Sequence, residues 1–356
     1  AHMQEGRSFL WVYELFRLEY NMKKLTYIAL ILIAAMVEAA SCTGRRGGGS
    51  ATGEYSVAEG IVWNTSYHIT FQGPESLRDS IIKEFDRIGQ SLNVFDTASL
   101  VSRVNMGDSV AVNTDFIKVY MASVKTNKIT GGAFDPTLGP LIDAWGFGRG
   151  HVASADTARI DSIMQFVGIG KTHIKYDCIV KDDARIRFNF SAIAKGYACD
   201  CIGEMLQREG VKNYLVEIGG EIAARGVSPS GIAWRVGVDA PELGAAADSK
   251  KTEAVVQLKD MGVATSGNYR NFREENGRLI GHTISARTGR PVLTDVISAT
   301  VVASTAMEAD ALATSFMALG FDESRKIIDR MNLAAMLVLT DSTMWSSPSF
   351  KKIISE

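Results

Sequence analysis

Apolar positions along the chain fall into two periods. Leu77, Ile81, Phe85, Ile88 and Leu92 recur at spacings of three and four, which predicts a helix over 74–92. The same period predicts helices over 113–128, behind an Asn113 or Thr114 cap, and over 156–166, behind Asp156. It also predicts helices over 191–209, over 305–319 with Gly320 at the end, and over 322–331. Alternation takes over in 55–71, which predicts one or two strands, and in 172–190, which predicts paired strands. Short strands are expected at 214–218, 221–225, 234–238, 254–258 and 262–266, and a buried strand at 334–340. The Gly, Pro and aromatic residues of 131–150 predict an irregular loop or short turns. Strands and helices come in blocks, so the expected class is α+β: mixed or antiparallel sheets packed with helices. A single large catalytic domain over 57–352, with room for a smaller subdomain, is expected.

The first residues follow another logic. Ala1-His2-Met3 reads as a cloning remnant, and 1–21 stand outside the fold. Met22 reads as the natural start. Lys23 and Lys24 precede an apolar run over 25–37, and small residues follow at Ala39-Ala40-Ser41. This is the layout of a secretory signal peptide over 22–41. The run is shorter than the ~20 residues a bilayer-spanning helix needs. Small residues directly before Cys42 point to a lipoprotein box, with Cys42 lipidated after cleavage; a plain signal peptide is the other reading. Residues 42–56 then form a lipidated cysteine and a Gly/Ser-rich tether. The expected product is a bacterial membrane lipoprotein facing the periplasm, with the inner membrane as its site.

Composition narrows the function. The chain has 356 residues, 46% of them hydrophobic and 22% charged, which excludes a disordered chain. Lys+Arg 38 against Asp+Glu 40 gives a formal net charge of -2, so no global basic field exists to hold nucleic acid. Four cysteines are too few for a disulfide framework. Cys199 and Cys201 sit two apart in a helical pattern and point away from each other, a poor arrangement for one metal.

Four constellations carry candidate chemistry. Asp310 and Thr314 stand four apart on a predicted helix of mostly small residues, so they share a face. A carboxylate and a hydroxyl suit Mg²⁺ completed by substrate phosphates, or a satisfied pair in a tight helix contact. The stretch 189–197 (NFSAIAKGY) is a strand end running into a helix, with Lys195 one turn in. Such a junction binds phosphate, or is an N-cap at Ser191 with a solvated lysine. The stretch 131–148 offers Gly- and Pro-fixed backbone beside aromatic faces, and 215–221 (LVEIGGE) ends a strand in a double glycine where backbone can approach a ligand. Both also read as ordinary loop architecture. His282, in 281–291, reads as a structural turn residue or a general base, and Thr265 to Arg270 just before it offer hydroxyls.

Six stretches in this order resemble one family: GGAFDPTLGPLIDAWGFG (131–148), SAIAKGYACD (191–200), YLVEIGGEI (214–222), ATSGNYRNF (264–272), HTISARTGRP (282–291) and MEADALATSFMALG (307–320). The chain is similar to the ApbE-type FAD:protein FMN transferases. The resemblance implies an ApbE-like fold and an Mg²⁺-dependent enzyme with FAD as substrate. A threonine hydroxyl of an acceptor protein would attack the FMN-side phosphorus, and AMP would leave. Implied acceptors are flavin-bearing subunits of quinone reductases or related electron-transport complexes.

The resemblance also implies roles. Asp310, Thr314 and the main-chain oxygen of Ala192 would hold Mg²⁺. Trp63, Phe95, Ala133, Phe134, Asp135, Asn189, Lys195 and Ile284 would contact FAD, and His282 would be the base. Four stretches depart from the family pattern. Trp63-Asn64-Thr65 replaces Met-Gly-Thr, Phe95 replaces a tyrosine, Asn189 replaces an aspartate, and Ser285 replaces the Asp of a His-x-Ile-Asp segment. The implied metal-ligand positions are unchanged. An FAD pyrophosphatase using water as acceptor, and a flavin-binding lipoprotein without turnover, are the alternative readings.

Overall fold

The computed structural model describes residues 53–148, 156–240, 251–267, 272–275 and 278–355. The signal segment, Cys42, the start of the tether and Asn268 to Arg270 lie outside the described residues. From Gly53 onward the chain forms one compact unit.

It opens with a hairpin of β1 (Tyr55–Val62) and β2 (Thr65–Gln72). Val62 pairs with Thr65, so Trp63 and Asn64 form a two-residue turn, with φ of 48° and 62°. Positive φ at both central residues matches the right-handed twist of the strands. Helices α1 (Arg78–Leu92), α2 (Leu100–Met106), α3 (Thr114–Ile129), α4 (Gly139–Ala144) and α5 (Thr157–Met164) follow. Then come the hairpin of β3 (Thr172–Lys175) and β4 (Cys178–Lys181), and helix α6 (Ala194–Arg208). Next are β5 (Tyr214–Ile218), β6 (Glu221–Arg225), β7 (Trp234–Ala240), β8 (Lys251–Leu258), β9 (Met261–Gly267), β10 (Phe272–Glu275), β11 (Arg278–Gly281) and β12 (Val296–Ala303). Helices α7 (Ala306–Leu319) and α8 (Phe321–Met331), strands β13 (Ala334–Leu339) and β14 (Met344–Ser346), and α9 (Pro348–Lys351) complete the chain.

Among the described residues, eight strands form one sheet in the order β1-β2-β5-β6-β9-β12-β13-β14. Every adjacent pair in it is antiparallel, which agrees with the expected α+β class. The central strands are covered on both faces. Val216, Ile218 and Ala223 share a core with Cys199, Ile202 and Leu206 of α6. Ala299 and Val301 share another with Leu312 and Phe316 of α7. On the opposite face Ile222, Val263, Val302 and Met336 meet Val256 and Leu258 of β8 and Phe350 of α9. Helices α6 and α7 therefore lie on one face of the sheet, at its middle.

Several expectations need correction. The 131–150 stretch is not all loop, because Gly139-Pro140 starts α4, with proline at a position where the missing N–H costs nothing. The paired strands of 172–190 stop at Lys181. The helix expected from Ser191 starts at Ala194, since residues 191–193 form a turn. That turn is fixed from behind by aromatic packing. Phe188 and Phe190 are fully buried and stacked at 5.6 Å, and Phe116 meets their rings edge-on at 5.8 and 5.2 Å. Burying each such ring contributes about 3 kcal/mol, so the chain enters Ser191 from a rigid anchor.

Candidate active site

The small residues at the contact between α6 and α7 let two backbones touch. A Cβ at Gly196 would lie 2.8 Å from Asp310 Cβ and closer still to the Ala306 carbonyl. Asp200 of α6 reaches across to the start of α7, where its two carboxylate oxygens accept the N–H groups of Ala306 and Met307, each at 2.9 Å. Those N–H groups have no partner inside their own helix, so Asp200 caps α7. Burial pushes its carboxyl up to about 7 against these bonds. Thr305 adds a second cap by accepting the Glu308 N–H at 3.1 Å.

This clamp places Asp310 one turn into α7, buried. Its Oδ2 accepts the Gly196 N–H at 3.0 Å. One turn further, Thr314 Oγ1 lies 3.1 Å from Ser266 Oγ of β9. Lys195 of α6 pairs with Glu221 at the start of β6. Glu221 is buried, and its second oxygen, Oε2, has no hydrogen-bond partner. Burial works against the Lys195 ammonium, but Glu221 and Asp310 outweigh it and leave the pKa raised. Burial raises the pKa of both carboxyls, while Lys195 pulls each down. The arrangement is one cation between two buried carboxylates, with two hydroxyls beyond.

The 131–139 loop is stitched to the segment leading into α6. The Asn189 N–H donates to Pro136 O at 2.7 Å, and Leu138 bridges Arg187. Ala133 and Phe134 are buried. Phe134 is held by its N–H on Thr130 Oγ1 at 3.1 Å and by its carbonyl, which accepts from Asn127 at 2.7 Å. The Asp135 carboxylate is engaged within the protein. It accepts the Thr137 N–H and hydroxyl at 2.8 and 2.6 Å and the Ile169 N–H at 2.8 Å. Asn189 Oδ1 accepts the Ser191 N–H at 2.9 Å, which shapes the turn carrying Ala192.

The remaining residues sit around this centre. His282 is exposed, just past β11. Ile284 is buried, bridges Pro291 and packs with Leu138, Leu141 and Ile160. Its loop is tied to the helix after the Gly/Pro stretch by the Trp145 indole N–H, which donates to Gly289 O at 2.8 Å. Trp63 is half-buried against Phe85 of α1, at 5.6 Å and edge-on. Phe95 is 59% exposed. Its N–H donates to Asn93 Oδ1 at 3.0 Å, which fixes the turn that presents the ring.

The side-chain donors at the centre are hard oxygens: one carboxylate on Asp310 and the Thr314 and Ser266 hydroxyls. No group of three or more His, Cys, Asp or Glu side chains able to hold a metal occurs among the described residues. A cation here would therefore draw on hydroxyls, carbonyls and substrate oxygens, the habit of Mg²⁺ in phosphate chemistry. The orphaned Glu221 Oε2 adds buried negative charge that a nearby cation offsets, so the donor set fits. Glu221 and Asp200 carry no expected role of their own, and Ser266 only a generic one. An acid between a double glycine and the apolar Ile222–Ala224 run, and an acid inside a helix of small residues, are the signals that mark Glu221 and Asp200.

Comparison with known proteins identifies the family. The ApbE family profile matches residues 63–337. The FAD:protein FMN transferase of Vibrio cholerae is 32% identical over 312 residues, covering 83% of this chain and 92% of the relative. That of Escherichia coli is 31% identical over 320 residues, covering 85% and 90%. Among solved structures, the flavin transferase ApbE from Vibrio cholerae superimposes with a TM-score of 0.75 at 29% identity, over 84% of this chain and 99% of that one. The apo form of the Pseudomonas stutzeri flavinyl transferase ApbE gives 0.75 and 29%, over 85% and 98%. The motifs, the sheet with its paired helices, and the profile spanning most of the chain agree, and the chain belongs to the ApbE family.

Proposed function

We propose that this protein transfers FMN from FAD to a threonine hydroxyl of an acceptor protein and releases AMP. The observation that carries the reading is the centre itself: Lys195 between the buried Glu221 and Asp310, with Thr314 and Ser266 beside them, in a chain of the ApbE family. The curated relatives named above are FAD:protein FMN transferases.

In the proposed reaction the threonine Oγ forms a bond to the FMN-side phosphorus. The bond from that phosphorus to the bridging oxygen breaks, and AMP departs with the bridging oxygen. His282, at the exposed edge, takes the hydroxyl proton. Such a transfer depends more on positioning and charge neutralisation than on covalent catalysis. Lys195 supplies a fixed positive charge for the diphosphate. Asp310, Thr314 and the Ala192 carbonyl would hold Mg²⁺, which when bound offsets charge on the phosphate oxygens. The 131–135 segment and Phe95 would receive the flavin and adenosine rings, with Asp135 contributing through its backbone because its carboxylate is already bonded.

The test is the mass of an acceptor after incubation with enzyme, FAD and Mg²⁺. An FMN-sized increase on one threonine, lost when a chelator removes the metal, is the expected result. Free FMN and AMP with an unchanged acceptor would replace this reading by hydrolysis. Intact FAD would replace it by flavin storage.

The acceptors we propose are flavin-bearing subunits of membrane redox complexes, met at the periplasmic face by a lipid-anchored enzyme. The Lys23-Lys24 start, the apolar run over 25–37 and the small residues before Cys42 support the anchor. No helix among the described residues is long and apolar enough to cross a membrane. Acyl chains on Cys42 would add ~0.8 kcal/mol per buried methylene, so two or three chains hold the protein firmly. Changing Cys42 to Ser is expected to move the protein from the membrane to the soluble fraction of a bacterial host. Continued sedimentation of that variant with membranes would remove Cys42 as the anchor.

A further inference from the structure

Glu221 is a costly residue to keep. A buried carboxylate with one oxygen unpartnered costs several kcal/mol unless something compensates it. The structure gives it one direct partner, the Lys195 ammonium at Oε1, and leaves Oε2 without any. A tight turn delivers it: Gly219 and Gly220 adopt φ of 62° and 99°, and Glu221 follows as the first residue of β6, paired with Ile218. Its own carbonyl accepts the Cys199 thiol at 3.1 Å, so strand and helix are locked together at this point.

Asp310 lies beside the same residue: its Oδ2 accepts the N–H of Gly196, which directly follows Lys195, at 3.0 Å, and its charge acts on the Lys195 ammonium along with that of Glu221. Without Glu221, Lys195 would have Asp310 as its remaining buried counter-ion. A lysine committed to Asp310 competes with any cation that Asp310 is to bind.

We infer that Glu221 is a positioning residue that draws the Lys195 ammonium toward β6 and so keeps the Asp310 carboxylate available to a divalent cation. This rests on the metal role proposed for Asp310. Lys195 stays charged and close enough to meet the diphosphate, while Asp310 keeps its affinity for the cation. The unpartnered Oε2 leaves buried negative charge beside the Lys195 pair.

The experiment measures Mn²⁺ binding to flavin-free protein by electron paramagnetic resonance, for the wild type, Glu221→Gln, Lys195→Gln and the double variant. Glu221→Gln is expected to weaken Mn²⁺ binding roughly tenfold, because one buried charge is lost and the ammonium turns to Asp310. The double variant is expected to recover most of that loss, and Lys195→Gln alone to bind Mn²⁺ more tightly than the wild type. In transfer assays, the rate lost in Glu221→Gln should return as Mg²⁺ is raised. Wild-type affinity in Glu221→Gln would overturn the inference. So would a double variant as weak as Glu221→Gln alone, since that marks a merely structural role. Should Glu221→Gln fail to fold, Lys195→Gln still decides, because unchanged or weaker Mn²⁺ binding in it contradicts the inference. A wild type that binds no Mn²⁺, with or without FAD, would overturn the metal reading of Asp310 and this inference with it; unchanged affinities across variants of a Mn²⁺-binding wild type overturn the inference alone.

Discussion

Asp310→Asn is expected to reduce FMN transfer by ~10³-fold while leaving the fold intact. The two expectations separate because the substitution keeps shape and removes charge. The introduced amide would still offer an oxygen to the Gly196 N–H, which Asp310 now accepts at 3.0 Å, so the contact between α6 and α7 survives. Losing the carboxylate removes the one ionised donor of the proposed metal set. If that donor provides about 4 kcal/mol of transition-state stabilisation, the rate falls ~10³-fold, at ~1.4 kcal/mol per factor of ten. The loss should appear equally in AMP release and in acceptor flavinylation, since both need the same phosphorus activated. Single-turnover AMP release by chromatography and a thermal melt decide it together. Wild-type AMP release from a folded Asp310→Asn protein would take Asp310 out of the reaction.

How much of this was legible in the sequence depends on which force sets each feature. Helices with one face in water betray themselves: α1 shows Ile81, Phe85, Ile88 and Leu92 at helical spacing because most intervening positions are solvated. The strand β12 at the middle of the sheet carries no such signal. Val301 faces the α7 core and Val302 the β8 core, so both alternating positions are apolar and the period of two vanishes. Helix α2 is too short for periodicity to register, and α4 hides behind glycine and proline.

The site divides the same way. Asp310 and Thr314 share a face by local geometry alone, so their spacing reads directly. Ser266 reaches Thr314 only because β9 and α7 are stacked, 48 positions apart in the chain. Lys195 meets Glu221 through the packing of α6 on the sheet, which no local rule predicts. Asp135 shows the converse. Its motif is legible, but its hydrogen bonds to Thr137 and Ile169 give the carboxylate a structural duty that only coordinates reveal.

The contact between α6 and α7 makes Gly196→Ala the other large effect, with a sign that intrinsic propensity gets wrong. Replacing a helix-interior glycine by alanine ordinarily stabilises by about 0.5–1 kcal/mol. Here the added methyl would fall on the Ala306 carbonyl and 2.8 Å from Asp310 Cβ. A carbonyl held in a helix start by Asp200 and Thr305 cannot swing aside. The helices must part instead, and overpacking of this kind costs ~3 kcal/mol or more. The melting temperature should fall by roughly 6–12 °C, at ~2–4 °C per kcal/mol for a domain of this size. Transfer should fall at least a hundredfold at temperatures where the protein is still folded, because separation of the helices moves Asp310 off the Gly196 N–H. Gly203→Ala, on the same helix, is the control. Its methyl would meet the Tyr214 hydroxyl at 2.6 Å and the ring edge at 2.9 Å, a buried side chain of β5, and nothing of the site. That variant should lose some stability and keep its transfer rate. If Gly196→Ala instead melts and reacts like the wild type, backbone contact between the helices is not what holds Asp310 in place.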